Sequence, residues 1–277
     1  MSLMLKLLAT TLLISSVASA SATGKKVEKF LDNQFGDNPR ILKLDVKVTE
    51  ERRVKNLKGW STYFVDVKAV LKEKPKETIN QKMIWFSNGK VITKELNNID
   101  NGESYSEMMK PSFSKSFYKR ANLVSGHKNA KHRVAIFSDP LCPFCKDFAP
   151  AALSYMKQYP STYAVYYYHY PILRIHPASA IIIRAAVVAE QKGFKDVSTK
   201  MYDIQVNPHE KDVAKILKAF NKVIGSKVTE KEIMTKQISD QIKSDDDIAK
   251  ALFVSGTPTI YFDDMIDKTR KKYRTTK

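Results

Sequence analysis

Cys142 and Cys145 are the only cysteines in the 277-residue chain, and they enclose Pro143 and Phe144. Two thiols at this spacing have three uses. They can exchange disulfides with other thiols, supply half of a metal site, or form a static bridge. Exchange needs a thiolate, because the thiol itself is a poor nucleophile. The flanking residues favour one. Residues 133–137 (Arg-Val-Ala-Ile-Phe) read as a short buried strand and 143–159 as a helix, so Cys142 falls where a strand turns into a helix. Unpaired backbone N–H groups and the helix dipole favour an anion at that point. A depressed pKa is therefore expected for Cys142. Pro143 fits the first helical turn, which needs no N–H donor. Cys145 follows on the same helical face and can attack a mixed disulfide formed at Cys142. That division of labour, an exposed attacker and a shielded resolver, is what exchange requires.

The other two uses are weaker. Zinc takes four ligands, and the five histidines, at 127, 132, 169, 176 and 209, stand at no ligand spacing from the cysteines. No metal is expected. A 1,4 bridge closes too small a loop to stabilise much.

The elements that must hold the pair are legible around it. After the strand and helix, 164–168 (Ala-Val-Tyr-Tyr-Tyr) is an aromatic strand. Residues 178–190 are apolar nearly all round, as in a buried helix. Val213, Ile216, Leu217, Phe220, Val223 and Ile224 recur at helical spacing, and 259–262 (Thr-Ile-Tyr-Phe) returns to strand. Strand, helix, strand, helical block and strand make an α/β sandwich with a helical insertion at about 177–252. His176-Pro177 opens that block, with no role assigned. Upstream, 24–105 read as a small α+β domain. A helix at 25–35 carries Val27, Phe30 and Leu31 on one face. Alternating strands follow, with Asn88-Gly89 as a hairpin turn. Residues 106–120 are polar with Pro111 and read as a linker, and the second domain spans 121–277.

The stretch from Phe137 through Ser138, Asp139, Pro140 and Leu141 to the cysteine pair resembles a thioredoxin-fold active site. Pro150 matches the proline that kinks its helix, and Ser255-Gly256-Thr257-Pro258-Thr259 resembles its cis-proline loop. The chain as a whole resembles the periplasmic thiol:disulfide interchange (Dsb) family, most of all its disulfide isomerase branch (DsbC/DsbG). The motif likeness covers about 137–150 and 254–262, and the N-terminal likeness is architectural. The resemblance implies a thioredoxin-like catalytic domain with Cys142 and Cys145 as catalytic residues. It also implies that Thr257 and Pro258 bind substrate backbone, and that the N-terminal domain dimerises. Pro143 and Phe144 support the pair, and Thr257 before Pro258 fits the isomerase branch. One departure is clear. Thioredoxin carries a buried carboxylate six residues before its first cysteine, where this chain has Ile136; Asp139 reads as a turn residue, with proton transfer as the other reading.

Composition narrows the class. The chain has 47 Lys+Arg against 29 Asp+Glu, a net charge of +18. The basic residues are scattered, and a nucleic-acid partner would need a focused basic face, so none is expected. Hydrophobic residues are 43% of the chain, too many for disorder. Lys6, the apolar run 7–17 and Ala18-Ser19-Ala20 read as a cleaved signal peptide over 1–20, which places the mature protein in the periplasm, where disulfides persist. The expected function is an exported oxidoreductase acting on protein disulfides, as isomerase or reductase. A disulfide oxidase is the alternative within the family, and a holdase chaperone is the alternative outside it. Cofactors are not needed, because the cysteines carry the electrons. The expected partners are protein substrates with disulfides or free thiols, a membrane redox partner that resets the pair, and a second copy of the chain.

Overall fold

The computed structural model describes residues 20–276. The expected signal peptide, apart from Ala20, lies outside the described residues. The chain divides into two compact units, one ending at Ser106 and the other starting at Glu107. Each is described by itself.

The first unit is α+β. Helix α1 (Ala22–Gly36) is capped by Ser21, whose hydroxyl accepts from the Gly24 N–H. The sheet runs β1 (Ile41–Arg53), β2 (Ser61–Leu71), β3 (Lys74–Ser87), β4 (Ile92–Thr93), all antiparallel and in that spatial order. Val27 and Leu31 of α1 are buried against Val48, Tyr63, Val65, Val67 and Trp85. Full burial of each such aliphatic side chain contributes about 1.5–3 kcal/mol. The α1 carboxylate of Glu28 also accepts the Val48 N–H at 2.7 Å. Phe30, expected on the buried face, is exposed, because the face follows residues 24, 27 and 31 and position 30 lies beside it. The Asn88-Gly89 hairpin is present. Gly89 sits at φ +87°, the Asn88 side chain accepts from the Lys90 and Val91 N–H groups, and Ser87 pairs with Ile92.

The boundary between the units falls within α2 (Tyr105–Met109). The second unit carries a five-stranded sheet of order β5-β7-β6-β8-β9, from β5 (Leu123–Ser125), β6 (His132–Ser138), β7 (Tyr163–His169), β8 (Thr259–Phe262) and β9 (Met265–Ile266). β6 runs parallel to β7 and antiparallel to β8. Between β6 and β7 lies α3 (Pro143–Lys157). Between β7 and β8 lies the helical block: α4 (Ser179–Gln191), α5 (Val197–Lys200), α6 (Val213–Ile224), α7 (Glu230–Ile233) and α8 (Lys236–Ala251). A short α9 (Lys272–Thr275) closes the described chain, with Tyr273 buried.

Alternation sorts the sheet into two cores. Ile136, Tyr163, Val165 and Tyr167 face α3, α4 and α6; Ala135, Phe137, Tyr166, Tyr168 and Tyr261 face Phe113, Ile248 and Leu252. Phe113 stands in the segment read as a linker. It is buried among Phe137, Tyr168 and Tyr261, and its N–H donates to the Asp264 carbonyl at 2.7 Å. Phe117 and Tyr118 of the same segment pack against that core as well, and the three aromatics draw a polar stretch onto the sheet.

Gly126, just after β5, has φ +76°, and a Cβ built there would stand 1.8 Å from the Tyr163 carbonyl oxygen. Backbone cannot retreat from such a clash as a flexible side chain can. Gly126→Ala is expected to cost about 2–4 kcal/mol. Urea unfolding of the purified protein checks this, and a midpoint equal to wild type would contradict the close approach.

Candidate active site

Strand β6 runs through the middle of its sheet and ends at Ser138. The chain then makes one turn, in which Asp139 Oδ1 accepts the Leu141 N–H at 2.9 Å, and enters α3. Cys142 is the N-cap of α3, and Pro143 takes the first helical position. The Cys142 carbonyl accepts from the N–H groups of Cys145 and Lys146, both at 3.0 Å, which fixes the first turn. The inward stripe of α3 is Cys145, Ala149, Ala152, Leu153 and Met156. This is helical spacing, with two alanines letting the helix lie close to the sheet. Pro150 lies inside the same helix.

The pair is asymmetric. Both cysteines are free thiols. Cys145 is completely buried, and burial pushes its pKa up to about 12; the Asp139 backbone and the Ser138 and Thr257 hydroxyls offset only part of that rise. Cys142 lies at the helix N-terminus, but it is not the exposed thiol expected. Only 5% of it is accessible. The loop before β8 covers it: Cys142 Sγ donates to the Thr257 carbonyl at 3.6 Å. A partner sulfur must therefore approach past exposed Pro143 and Phe144, the latter 69% accessible.

Thr257 and Pro258 are joined by a cis peptide bond, and Pro258 is buried. The antiparallel register of β8 on β6 pairs Thr259 with Phe137, which carries this loop to the end of β6 where the cysteines lie. The structure thus brings together Cys142, Pro143, Phe144, Cys145, Thr257 and Pro258.

Several polar groups around the pair are not evident from the sequence. Behind Cys145, the Ser138 hydroxyl bonds to the Tyr202 hydroxyl, which bonds to that of Tyr167, each at 2.5 Å. Burial raises Tyr202 and Tyr167 well above the ordinary phenol range, so all three groups stay neutral. Asp139 is more than a turn residue. It is fully buried and faces Leu141, Ile172, His176 and Ser179. The only local signal was the Asp–Pro turn, since the other partners stand 33 to 40 residues away. Among the described residues, no three His, Cys, Asp or Glu side chains are grouped to hold a metal ion, and no helix is long and apolar enough to cross a membrane.

A strand–helix junction carrying two cysteines, a parallel neighbouring strand, an antiparallel return strand behind a proline loop and a helical insertion define a thioredoxin-like domain. A family model described as Thioredoxin matches residues 119–277, and the chain belongs to that family. No curated protein matches it. Among solved structures, it is similar to a thioredoxin-like oxidoreductase from Silicibacter pomeroyi, at 20% identity and a TM-score of 0.44, covering 54% of this chain and 84% of that one. It is also similar to oxidised BdbD from Bacillus subtilis, at 18% and 0.46 over 60% and 90%. A third is ScsC from Proteus mirabilis in a transitional conformation, at 22% and 0.44 over 57% and 70%.

The asymmetry of the pair has a direct readout. Burial keeps the Cys145 thiol protonated at neutral pH. Iodoacetamide at neutral pH is expected to place one adduct on the reduced native protein, at Cys142. Cys145 is expected to react only as the pH approaches 12 or after denaturation. Peptide mass spectrometry reads the positions, and first labelling at Cys145 would reverse the two roles.

Proposed function

We propose that the chain is an exported thiol–disulfide oxidoreductase acting on protein disulfides, working as an isomerase or reductase. The observation that carries this reading is the asymmetric pair: Cys142 caps α3 against the Thr257 carbonyl, and Cys145 is sealed one helical turn on. The Cys142 thiolate attacks one sulfur of a substrate disulfide. A mixed disulfide forms and the other substrate sulfur leaves as thiolate. Cys145 then loses its proton and attacks Cys142 Sγ. The second substrate thiol is released, and a 142–145 disulfide holds the two electron equivalents' worth of oxidation. When another substrate thiol attacks the mixed disulfide first, the substrate is isomerised and Cys142 returns reduced.

Thr257 and Pro258 are assigned to binding an extended substrate backbone, a role supported by the contact of the Thr257 carbonyl with Cys142 Sγ. A membrane-bound redox partner would return the oxidised pair to dithiol. The leader expected at 1–20 supports export to the periplasm. The N-terminal α+β unit supports a homodimer in which two catalytic units face a shared substrate. Resemblance to the isomerase branch of the Dsb family supports the same direction. A disulfide oxidase is the second reading, favoured by the helical block between β7 and β8, the feature in which the chain resembles the oxidase branch.

Recovery of activity from scrambled ribonuclease, with and without oxidised glutathione, separates the readings. An isomerase restores scrambled enzyme without added oxidant. An oxidase acts only on the reduced enzyme. A holdase keeps suppressing aggregation after Cys142→Ala. Cys142→Ala is expected to abolish exchange, and Cys145→Ala to accumulate mixed disulfides visible on non-reducing gels. Full exchange activity in Cys142→Ala would refute the assignment.

A further inference from the structure

Resolution of a mixed disulfide asks Cys145 to give up a proton where its side chain is completely buried. The Asp139 carboxylate is close in sequence but not free to take it. It accepts the Leu141 N–H at 2.9 Å, the Ile172 N–H at 2.8 Å and the Ser179 hydroxyl at 2.6 Å, and it lies 3.0 Å from His176 Nδ1. The backbone of Asp139, not its carboxylate, faces the buried thiol. Ile136, in the same core, is apolar.

The other groups around the thiol come from five elements. The Ser138 hydroxyl ends β6, the Thr257 hydroxyl stands in the loop before β8, and Cys142 caps α3. Tyr167 of β7 and Tyr202 of the helical block share the core with Cys145. Of these, Ser138 opens a row. Its hydroxyl bonds to that of Tyr202, and Tyr202 to that of Tyr167, each at 2.5 Å.

A proton count shows what the row can do. A hydroxyl has one proton to donate and two lone pairs, and it rotates to suit its neighbours. Three hydroxyls joined by two hydrogen bonds use two protons on each other and keep one for an end. With the donors running from Ser138 to Tyr167, the Ser138 oxygen is free to accept the Cys145 S–H. With the donors running from Tyr167 to Ser138, the Ser138 proton is free for the sulfur. The same heavy atoms thus suit the thiol in one order and the thiolate in the other. Each bond in a connected row polarises the next, which strengthens the donor at its end. Burial raises both phenols well above their ordinary range, so they keep the protons this order needs.

We propose that Ser138 is a catalytic residue of the resolving step, its hydroxyl donating to Cys145 Sγ as the thiolate forms, and that Tyr202 and Tyr167 are positioning residues that supply the reversed donor order. This rests on the exchange function proposed above. In the step, the bond between Cys145 Sγ and Cys142 Sγ forms and the bond from Cys142 Sγ to the substrate sulfur breaks. The electron pair leaves on the substrate sulfur, which takes up in balance the proton Cys145 gives up. The row keeps its own three protons.

Stopped-flow reaction of the reduced protein with the aryl disulfide dithiobis(nitrobenzoate) tests this. Attack by Cys142 releases one coloured thiolate at a rate proportional to the reagent. Attack by Cys145 on the adduct releases a second at a rate independent of it. Ser138→Ala is expected to leave the first phase within about twofold and to slow the second about tenfold or more at neutral pH, as for loss of a hydrogen bond to a charged group. Without that donor the thiolate forms less readily, so the pH profile of the second phase is expected to move up by about one unit. Tyr202→Phe, which keeps the ring, is expected to slow the second phase about threefold with a shift in the same direction. An unchanged second phase in Ser138→Ala overturns the proposal. So does equal slowing of both phases, or slowing with no shift of the profile, which is what a purely structural row would give. Should Ser138→Ala fail to fold, the same pattern is required of Tyr202→Phe, and its absence there overturns the proposal. A wild-type protein that releases no second thiolate would refute the exchange function itself, a result distinct from a variant that matches wild type.

Discussion

The exchange proposed for Cys142 and Cys145 asks for one reactive and one silent sulfur, and so for two environments within one helical turn. The junction of β6 and α3 supplies both. The free N–H end of α3 stands over the end of the central strand and receives Cys142 as its cap. One turn further, the helix has reached the sheet, and Cys145 is sealed beneath Ala149 and the floor of the core. The small inward residues of α3 permit that depth, since larger ones would hold the helix away and wet the second sulfur. The neighbouring strands follow from the same requirement. β6 needs pairing on both sides to be buried, and the antiparallel strand β8 returns the Thr257 loop to the cysteines.

The helical block between β7 and β8 is part of this site rather than an addition to it. Three polar groups beside the pair lose water when the block packs down: the Ser138 hydroxyl, the Tyr167 hydroxyl and the Asp139 carboxylate. A buried polar group without a partner costs about 1–3 kcal/mol, more when charged. The block provides the partners. Tyr202 bridges the two hydroxyls, and Ser179 and His176 reach the carboxylate. Deleting the block would therefore strand polar groups next to the reacting sulfurs as well as expose the apolar face it covers. The same block buries Asp245 of α8, which accepts the His169 N–H at 3.0 Å and is pushed up to about 7 by burial. Asp139 thus ties the chain after β6 to the loop after β7 and to α4, and Asp245 ties α8 to the end of β7.

What was readable in the sequence was local. Cys142, Pro143 and Cys145 declare a helix start by their spacing, and residues 134–137 declare a buried strand by an unbroken apolar run. The Gly-Thr-Pro-Thr stretch before 259–262 was visible as a loop leading into a strand. What was not readable depends on contacts distant in the chain. Asp139 looked like an ordinary turn residue because three of its four donors lie beyond residue 170. Phe113, Phe117 and Tyr118 look like part of a polar connector because they stand among serines and lysines with no apolar run around them. The first half of β3, 74–80, has no alternation, since both of its faces are exposed; backbone pairing with β2 makes it a strand. Cys142 looked exposed by the logic of a nucleophile, and the Thr257 loop that covers it is more than a hundred residues away.

The N-terminal unit obeys a different constraint. Its sheet is open, with β1 at one edge and α1 covering only part of one face. An open edge invites strand addition unless it is blunted. β1 is blunted twice: its pairing with β2 is interrupted between Ile41 and Lys43 and between Val48 and Glu50, and it carries Lys43, Asp45, Lys47, Glu50, Glu51, Arg52 and Arg53. Adding a strand to that edge would have to crowd those charged side chains and follow an interrupted ladder.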